Sequence, residues 1–146
     1  MTAHRLGIVG YGNLGRGVEL AVSLQEDMEL VGVFTRRDPS TLTTALEDTA
    51  VRSMDELESM TGEIDVLVLC GGSKSDLPEQ TPQLAARFTV VDSFDTHARI
   101  PEHYAAVDAA AREAGTTALI STGWDPGLFS LNRLFGEAIL ASGDTY

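Results

Sequence analysis

Three groups of residues in this chain have the types and spacing to do chemistry. The first is Gly10-Tyr11-Gly12-Asn13-Leu14-Gly15, a G-x-G-x-x-G run between the apolar stretch Leu6-Gly7-Ile8-Val9 and a helical pattern from Leu14 onward. Glycines so spaced permit a tight turn, and they let backbone N–H groups and a helix N-terminus approach a pyrophosphate. The pattern alone is common. Here a second apolar run, Leu30-Val31-Gly32-Val33-Phe34, follows about one βαβ unit later, which is the context the turn requires.

The second group is Thr35-Arg36-Arg37 at the end of that apolar run. A site selective for NAD places an Asp or Glu roughly 20 residues past the glycines, to accept from the ribose 2′-hydroxyl. A carboxylate would repel a 2′-phosphate, whereas a hydroxyl and two guanidinium groups bond to it and neutralise it. The expected ligand is therefore NADP(H) rather than NAD(H). The plainer alternative is a solvated Arg pair opening a loop.

The third group lies in Asp92-Ser93-Phe94-Asp95-Thr96-His97 and Thr122-Gly123-Trp124-Asp125-Pro126-Gly127. Asp95 and Asp125, brought from two strand ends, could bind a substrate ammonium. Their proximity and desolvation would raise a carboxylate pKa enough to help it accept a proton. Trp124 would supply an apolar wall or stack near a nicotinamide. The alternatives are that Asp95 only makes a turn and that Asp125-Pro126 is the cap and first residue of the last helix. Asp92 is read as structural.

Cys70-Gly71-Gly72-Ser73 joins the cofactor-facing set, because small residues let backbone lie against the adenosine-phosphate side. Ser93, Phe94, Pro126 and Gly127 are assigned to it as well. The Cys70 thiol has no adjacent base and is read as a buried strand-end side chain rather than a nucleophile. His4, His97 and His103 are too scattered for a metal constellation and are read as surface or loop histidines.

Positioning these groups requires strands that end at one edge. Short apolar runs rich in β-branched residues predict strands over 6–10, 30–35, 50–52, 66–70, 89–92 and 117–121. Helices are predicted over 14–25, 54–60, 78–87, 101–114 and 127–141. Ser53-Met54-Asp55-Glu56 has capping-box spacing, Pro101 suits a first helical position, and Gly115 suits the left-handed residue past a helix end. The alternation implies an α/β, doubly wound parallel sheet of the Rossmann type with six strands in order 3-2-1-4-5-6. Its crevice would lie at the carboxyl ends of the strands.

Composition narrows the function further. With 22 acidic against 10 basic residues the formal charge is −12, which disfavours nucleic acid and anionic membrane as partners. No stretch approaches the roughly 20 apolar residues of a membrane span, and the N-terminus shows no signal-peptide pattern, so a cytoplasmic location is expected. A single cysteine excludes an intramolecular disulfide.

Taken together, the glycine turn, Thr35-Arg36-Arg37, Asp76-Leu77-Pro78-Glu79-Gln80, Val91 to His97 and Ser121-Thr122-Gly123-Trp124-Asp125-Pro126-Gly127 resemble the NADP-dependent meso-diaminopimelate D-dehydrogenases. The similarity runs over nearly the whole chain. It implies oxidative deamination at the D-centre of meso-2,6-diaminopimelate, giving L-2-amino-6-oxopimelate and ammonia, a reaction serving lysine biosynthesis. By that likeness Asp95 and Asp125 engage the reacting amine and Trp124 shapes the same end of the pocket. Such enzymes carry a second domain that grips the distal end of the substrate and forms a homodimer. Asp144-Thr145-Tyr146 stands about where the crossover to it should begin. Residues 1–146 are thus expected to be the cofactor domain, with little or no dehydrogenase activity alone. Two other functions stay open: another NAD(P)-dependent oxidoreductase sharing this domain, or a non-catalytic NADP-binding module.

Overall fold

A computed structural model describes residues 3–140. Its strands are β1 (His4–Val9), β2 (Met28–Thr35), β3 (Val51–Ser53), β4 (Val66–Leu69), β5 (Val90–Asp92) and β6 (Ala118–Leu119). They form one parallel sheet in the order β3-β2-β1-β4-β5-β6. The helices are α1 (Asn13–Val22), α2 (Leu77–Ala85), α3 (Ile100–Ala114) and α4 (Leu128–Ile139). The order reverses between β1 and β4, so the loops after these two strands diverge and open a crevice at their carboxyl ends.

A parallel sheet covered on both faces needs apolar residues at successive strand positions, because alternate side chains face opposite sides. Ile8 and Val33 pack with Tyr11 on one face, while Val9, Phe34, Leu67, Leu69 and Val90 pack on the other with Leu57, Leu77, Phe88 and Val107. Each such side chain, fully buried, contributes about 1.5–3 kcal/mol of hydrophobic stabilisation before conformational entropy is set against it.

The sequence-based boundaries shift by a few residues in this structure. α1 ends at Val22 rather than Gln25, α2 begins at Leu77 and stops at Ala85, and α3 begins one residue before Pro101. Gly115 takes the left-handed conformation past α3, with φ +71°. The end of the last predicted helix, Ala141, and the expected crossover at Asp144-Thr145-Tyr146 lie outside the described residues.

Residues Met54–Met60 form a 3₁₀ helix rather than an α-helix. Its Ser53/Glu56 capping box is present as the spacing predicts. The winding follows from the apolar spacing. Met54, Leu57 and Met60 recur every third residue, and at three residues per turn all three face the core.

His103 is the clear departure from expectation. It lies on α3 at only 4 % exposure, with its ring stacked on Phe94 at a centroid distance of 4.1 Å. Its Nε2 sits 2.7 Å from the Asp92 carboxylate, and that partner makes its burial tolerable.

Candidate dinucleotide site and the two loops beside it

Gly10 follows β1 with φ +85°, a backbone conformation that side chains with a Cβ rarely adopt. It starts the turn that delivers Gly12 as the cap residue of α1. A Cβ on Gly15 would lie 2.6 Å from the Gly10 carbonyl oxygen, so glycine there lets the helix close onto the turn. At Gly12 an added Cβ would meet nothing of the protein, and that position faces open space.

The turn borders a cleft of about 380 Å³ shared by the ends of β1, β2 and β4. Of the residues assigned to the cofactor from sequence, Gly10, Tyr11, Gly12, Thr35, Arg36, Arg37, Cys70, Gly71 and Gly72 line it. Asn13, Leu14, Gly15, Ser73, Ser93, Phe94, Pro126 and Gly127 are not among its lining residues. Phe94 is 1 % exposed, with its ring committed to His103. Ser73 lies on the neighbouring loop, where its Oγ accepts from the Asp95 N–H at 2.7 Å.

The basic pair is arranged asymmetrically. Arg37 is braced on the glycine turn, its Nη2 donating to the Tyr11 carbonyl at 2.9 Å and its N–H to Thr35 Oγ1 at 3.1 Å. Arg36 is largely exposed and reaches across to Asp76 Oδ1 at 2.7 Å. The Gly72 N–H at 2.8 Å, and after it Arg36, hold the Asp76 carboxyl below the usual range. Asp76 and Gln80 also line the cleft, and sequence reasoning did not include them in the site. The Gln80 Oε1 atom is buried and has no hydrogen-bond partner. Glycine turn, open Gly12 position, unpartnered Gln80 and guanidinium at the mouth together fit a dinucleotide carrying a 2′-phosphate.

Glu19 on α1 supports the turn from behind. It is fully buried, yet it accepts hydrogen bonds from Tyr11 Oη, Thr49 Oγ1, the Ala45 N–H at 3.0 Å and the Leu46 N–H at 3.2 Å. Burial would raise its pKa, but these bonds outweigh that and keep the carboxyl below its ordinary value. Burial, then the bond to Glu19, pushes the Tyr11 phenol up. Glu19 thereby ties the glycine turn to the segment between β2 and β3. Nothing in its helical position marks it as anything but a surface acid.

Burial pushes the Cys70 thiol up to about 12, so it carries almost no thiolate at neutral pH. The reading of Cys70 as unreactive agrees with that.

The Asp95 and Asp125 loops lie next to each other. Thr122 donates both its backbone N–H and its Oγ1 to the Asp92 carbonyl, at 2.9 and 2.7 Å. His97 Nε2, two residues past Asp95, is 3.9 Å from Asp125 Oδ1. Trp124 is 61 % exposed and meets Phe129 edge-on at 5.0 Å. The expectation of a raised carboxylate is not met at Asp125. Arg133 on α4 hydrogen-bonds to it and holds its carboxyl below the usual range, and desolvation there is too slight to compensate. The arginine stands eight residues away on the following helix, a pairing that local spacing does not reveal.

The fold is a doubly wound α/β domain with the glycine turn bordering a cleft at the ends of β1, β2 and β4. The chain is similar over its full length to meso-diaminopimelate D-dehydrogenases. It is 61 % identical to that of Lysinibacillus sphaericus over all 146 residues, covering 44 % of the relative. It is 48 % identical to that of Corynebacterium glutamicum over 141 residues, or 97 % of this chain and 42 % of that one. Among solved structures, an engineered D-amino acid dehydrogenase bound to NADP+ superposes with a TM-score of 0.86 at 48 % identity, over 97 % of this chain and 43 % of the other. The C. glutamicum diaminopimelate dehydrogenase in complex with diaminopimelate gives 0.85, again at 48 % identity and with the same shares. No protein-family model matches the chain. The chain spans less than half the length of the curated relatives it matches.

Proposed function

We propose that this chain is the NADP(H)-binding part of an NADP-dependent meso-2,6-diaminopimelate D-dehydrogenase. The observation that carries the reading is the joining of Gly10, Tyr11, Gly12, Thr35, Arg36 and Arg37 around one cleft, with no carboxylate at the end of β2 to favour NAD. The high identity to named dehydrogenases supports it. NADP+, held by the glycine turn and the Thr35-Arg36-Arg37 end of β2, would supply the acceptor for the hydride lost from the D-carbon.

The chain's own residues hold the amine. Asp125, kept ionised by Arg133, suits the orientation of an ammonium, and deprotonation of that amine falls to Asp95 on the exposed neighbouring loop. Loss of hydride and proton leaves a C=N bond, which water hydrolyses to L-2-amino-6-oxopimelate and ammonia. Trp124 supplies the apolar wall at that end. Ser93, Phe94, Pro126 and Gly127 contribute the backbone of the two loops rather than the walls of the nucleotide cleft.

Under this reading the distal L-centre and a homodimer contact belong to a second domain outside this chain, and the chain alone turns over little or no substrate. No helix among the described residues is long and apolar enough to cross a membrane. A cytoplasmic biosynthetic role without nucleic-acid partners accords with the −12 charge.

The test is NADP+ reduction with meso-2,6-diaminopimelate by the chain, alone and fused to the part of a relative that it does not span. Turnover by the fusion is expected, together with its loss in Asp95→Asn and Asp125→Asn at unchanged NADPH affinity. Full turnover in both variants would overturn the roles given to the two carboxylates.

A further inference from the structure

We propose that Asp92 is a positioning residue whose buried side chain locks the Asp95 and Asp125 loops into one unit. The inference rests on the reading of those two carboxylates as amine-facing, and goes beyond it by assigning what fixes their relative placement.

Asp92 ends β5 at 1 % exposure. Its Oδ1 accepts from the Phe94 N–H at 3.1 Å and from the Ser121 N–H at 2.8 Å. Its Oδ2 accepts from Thr81 Oγ1 and His103 Nε2, both at 2.7 Å. Its backbone carbonyl takes the two bonds from Thr122. One residue therefore joins α2, α3, the β5 loop one residue before Asp95, and the β6 loop three residues before Asp125. A carboxylate can only accept, so His103 Nε2 donates to it. The ring's Nδ1 is buried without a partner, so Asp92 is the hydrogen-bond partner that holds the imidazole.

Ser121 shows the grip on the second loop. It has φ +56°, the one positive value outside glycine among the described residues, and its Oγ is buried with no partner. Such a residue persists where its surroundings over-determine the backbone. Here its N–H is held by Asp92, and the next N–H is held by the Asp92 carbonyl.

The experiment is hydrogen–deuterium exchange over residues 93–97 and 121–125, with the emission of Trp124, the chain's single tryptophan, as a second reporter. Asp92→Ala is expected to speed exchange in both segments together by about tenfold or more and to shift the emission. Asp92→Asn keeps a carbonyl oxygen for Phe94 and Ser121. Its NH₂ can donate to His103 Nε2 once the proton moves to Nδ1, so exchange within about threefold of wild type is expected. If Asp92→Ala does not fold, Thr81→Val decides: it removes one donor from Oδ2 and should quicken exchange in both loops by about threefold. A response confined to one segment, or Asp92→Asn behaving as Asp92→Ala does, would overturn the proposal. NADPH titration of the same samples separates the two ideas. Absence of binding by wild type strikes the functional reading, whereas independent loops strike the coupling.

Discussion

Arg133 grips Asp125 with both terminal nitrogens, Nη2 lying 2.6 Å from Oδ1 and Nη1 3.2 Å from Oδ2. A carboxylate so held is a weak base and a persistent anion. In Arg133→Ala the Asp125 carboxyl should titrate higher, toward its ordinary value of 3.8, because the hydrogen bond from Arg133 is the largest cause of its depression. Carboxyl-carbon NMR titration reads this directly. An unmoved midpoint would show that Arg133 does not set it.

The glycine turn yields a pair of opposite outcomes. Gly15→Ala would place a Cβ 2.6 Å from the Gly10 carbonyl, so α1 must shift, and a loss of about 1–3 kcal/mol in chemical denaturation is expected. Gly12→Ala meets no protein atom and should change stability by less than about 0.5 kcal/mol. Its methyl group would enter the space proposed for the pyrophosphate, so NADPH affinity should fall by about tenfold or more. Stability and binding thus separate across two residues of one motif.

Asp65 links the starts of β4 and β1. The Arg5 side chain donates to it at 2.7 and 3.2 Å and the Arg5 N–H at 2.8 Å, and these bonds, side chain first, lower its carboxyl from 3.8 to about 2. A folded-state pKa below the unfolded one stabilises the fold above the unfolded value and is lost as pH falls through the folded one. That contribution is present above 3.8 and disappears toward about 2. Denaturation across this window should show a shallower acid slope in Asp65→Asn than in wild type. Identical slopes would contradict the assignment.

The sheet was legible because its strands are buried on both faces, so Leu6 to Val9, Val66 to Leu69 and their neighbours read as unbroken apolar runs. The cleft was legible for a similar reason: strand ends and glycine positions locate it without any side-chain detail. What stayed hidden depends on contacts between distant positions. Asp92 draws its donors from residues 81, 103 and 121, and Glu19 draws them from 11, 45, 46 and 49. A buried acid is recognisable only when its donors are known. His103 was misread on the same account, since an imidazole on a helix declares itself buried only once Asp92 and Phe94 are seen beneath it.

The central claim is a site for a 2′-phosphorylated dinucleotide, and calorimetric titration of wild type and Arg36→Ala with NADPH and NADH tests it most directly. Arg36 holds Asp76 at the mouth of the cleft, and its side chain is largely exposed there. Wild type should bind NADPH at least about tenfold more tightly than NADH, a charge-assisted contact being worth roughly 1.5–3 kcal/mol. Arg36→Ala should lose most of that preference while leaving NADH affinity nearly unchanged. Equal affinities in wild type, unaltered by the substitution, would contradict the account.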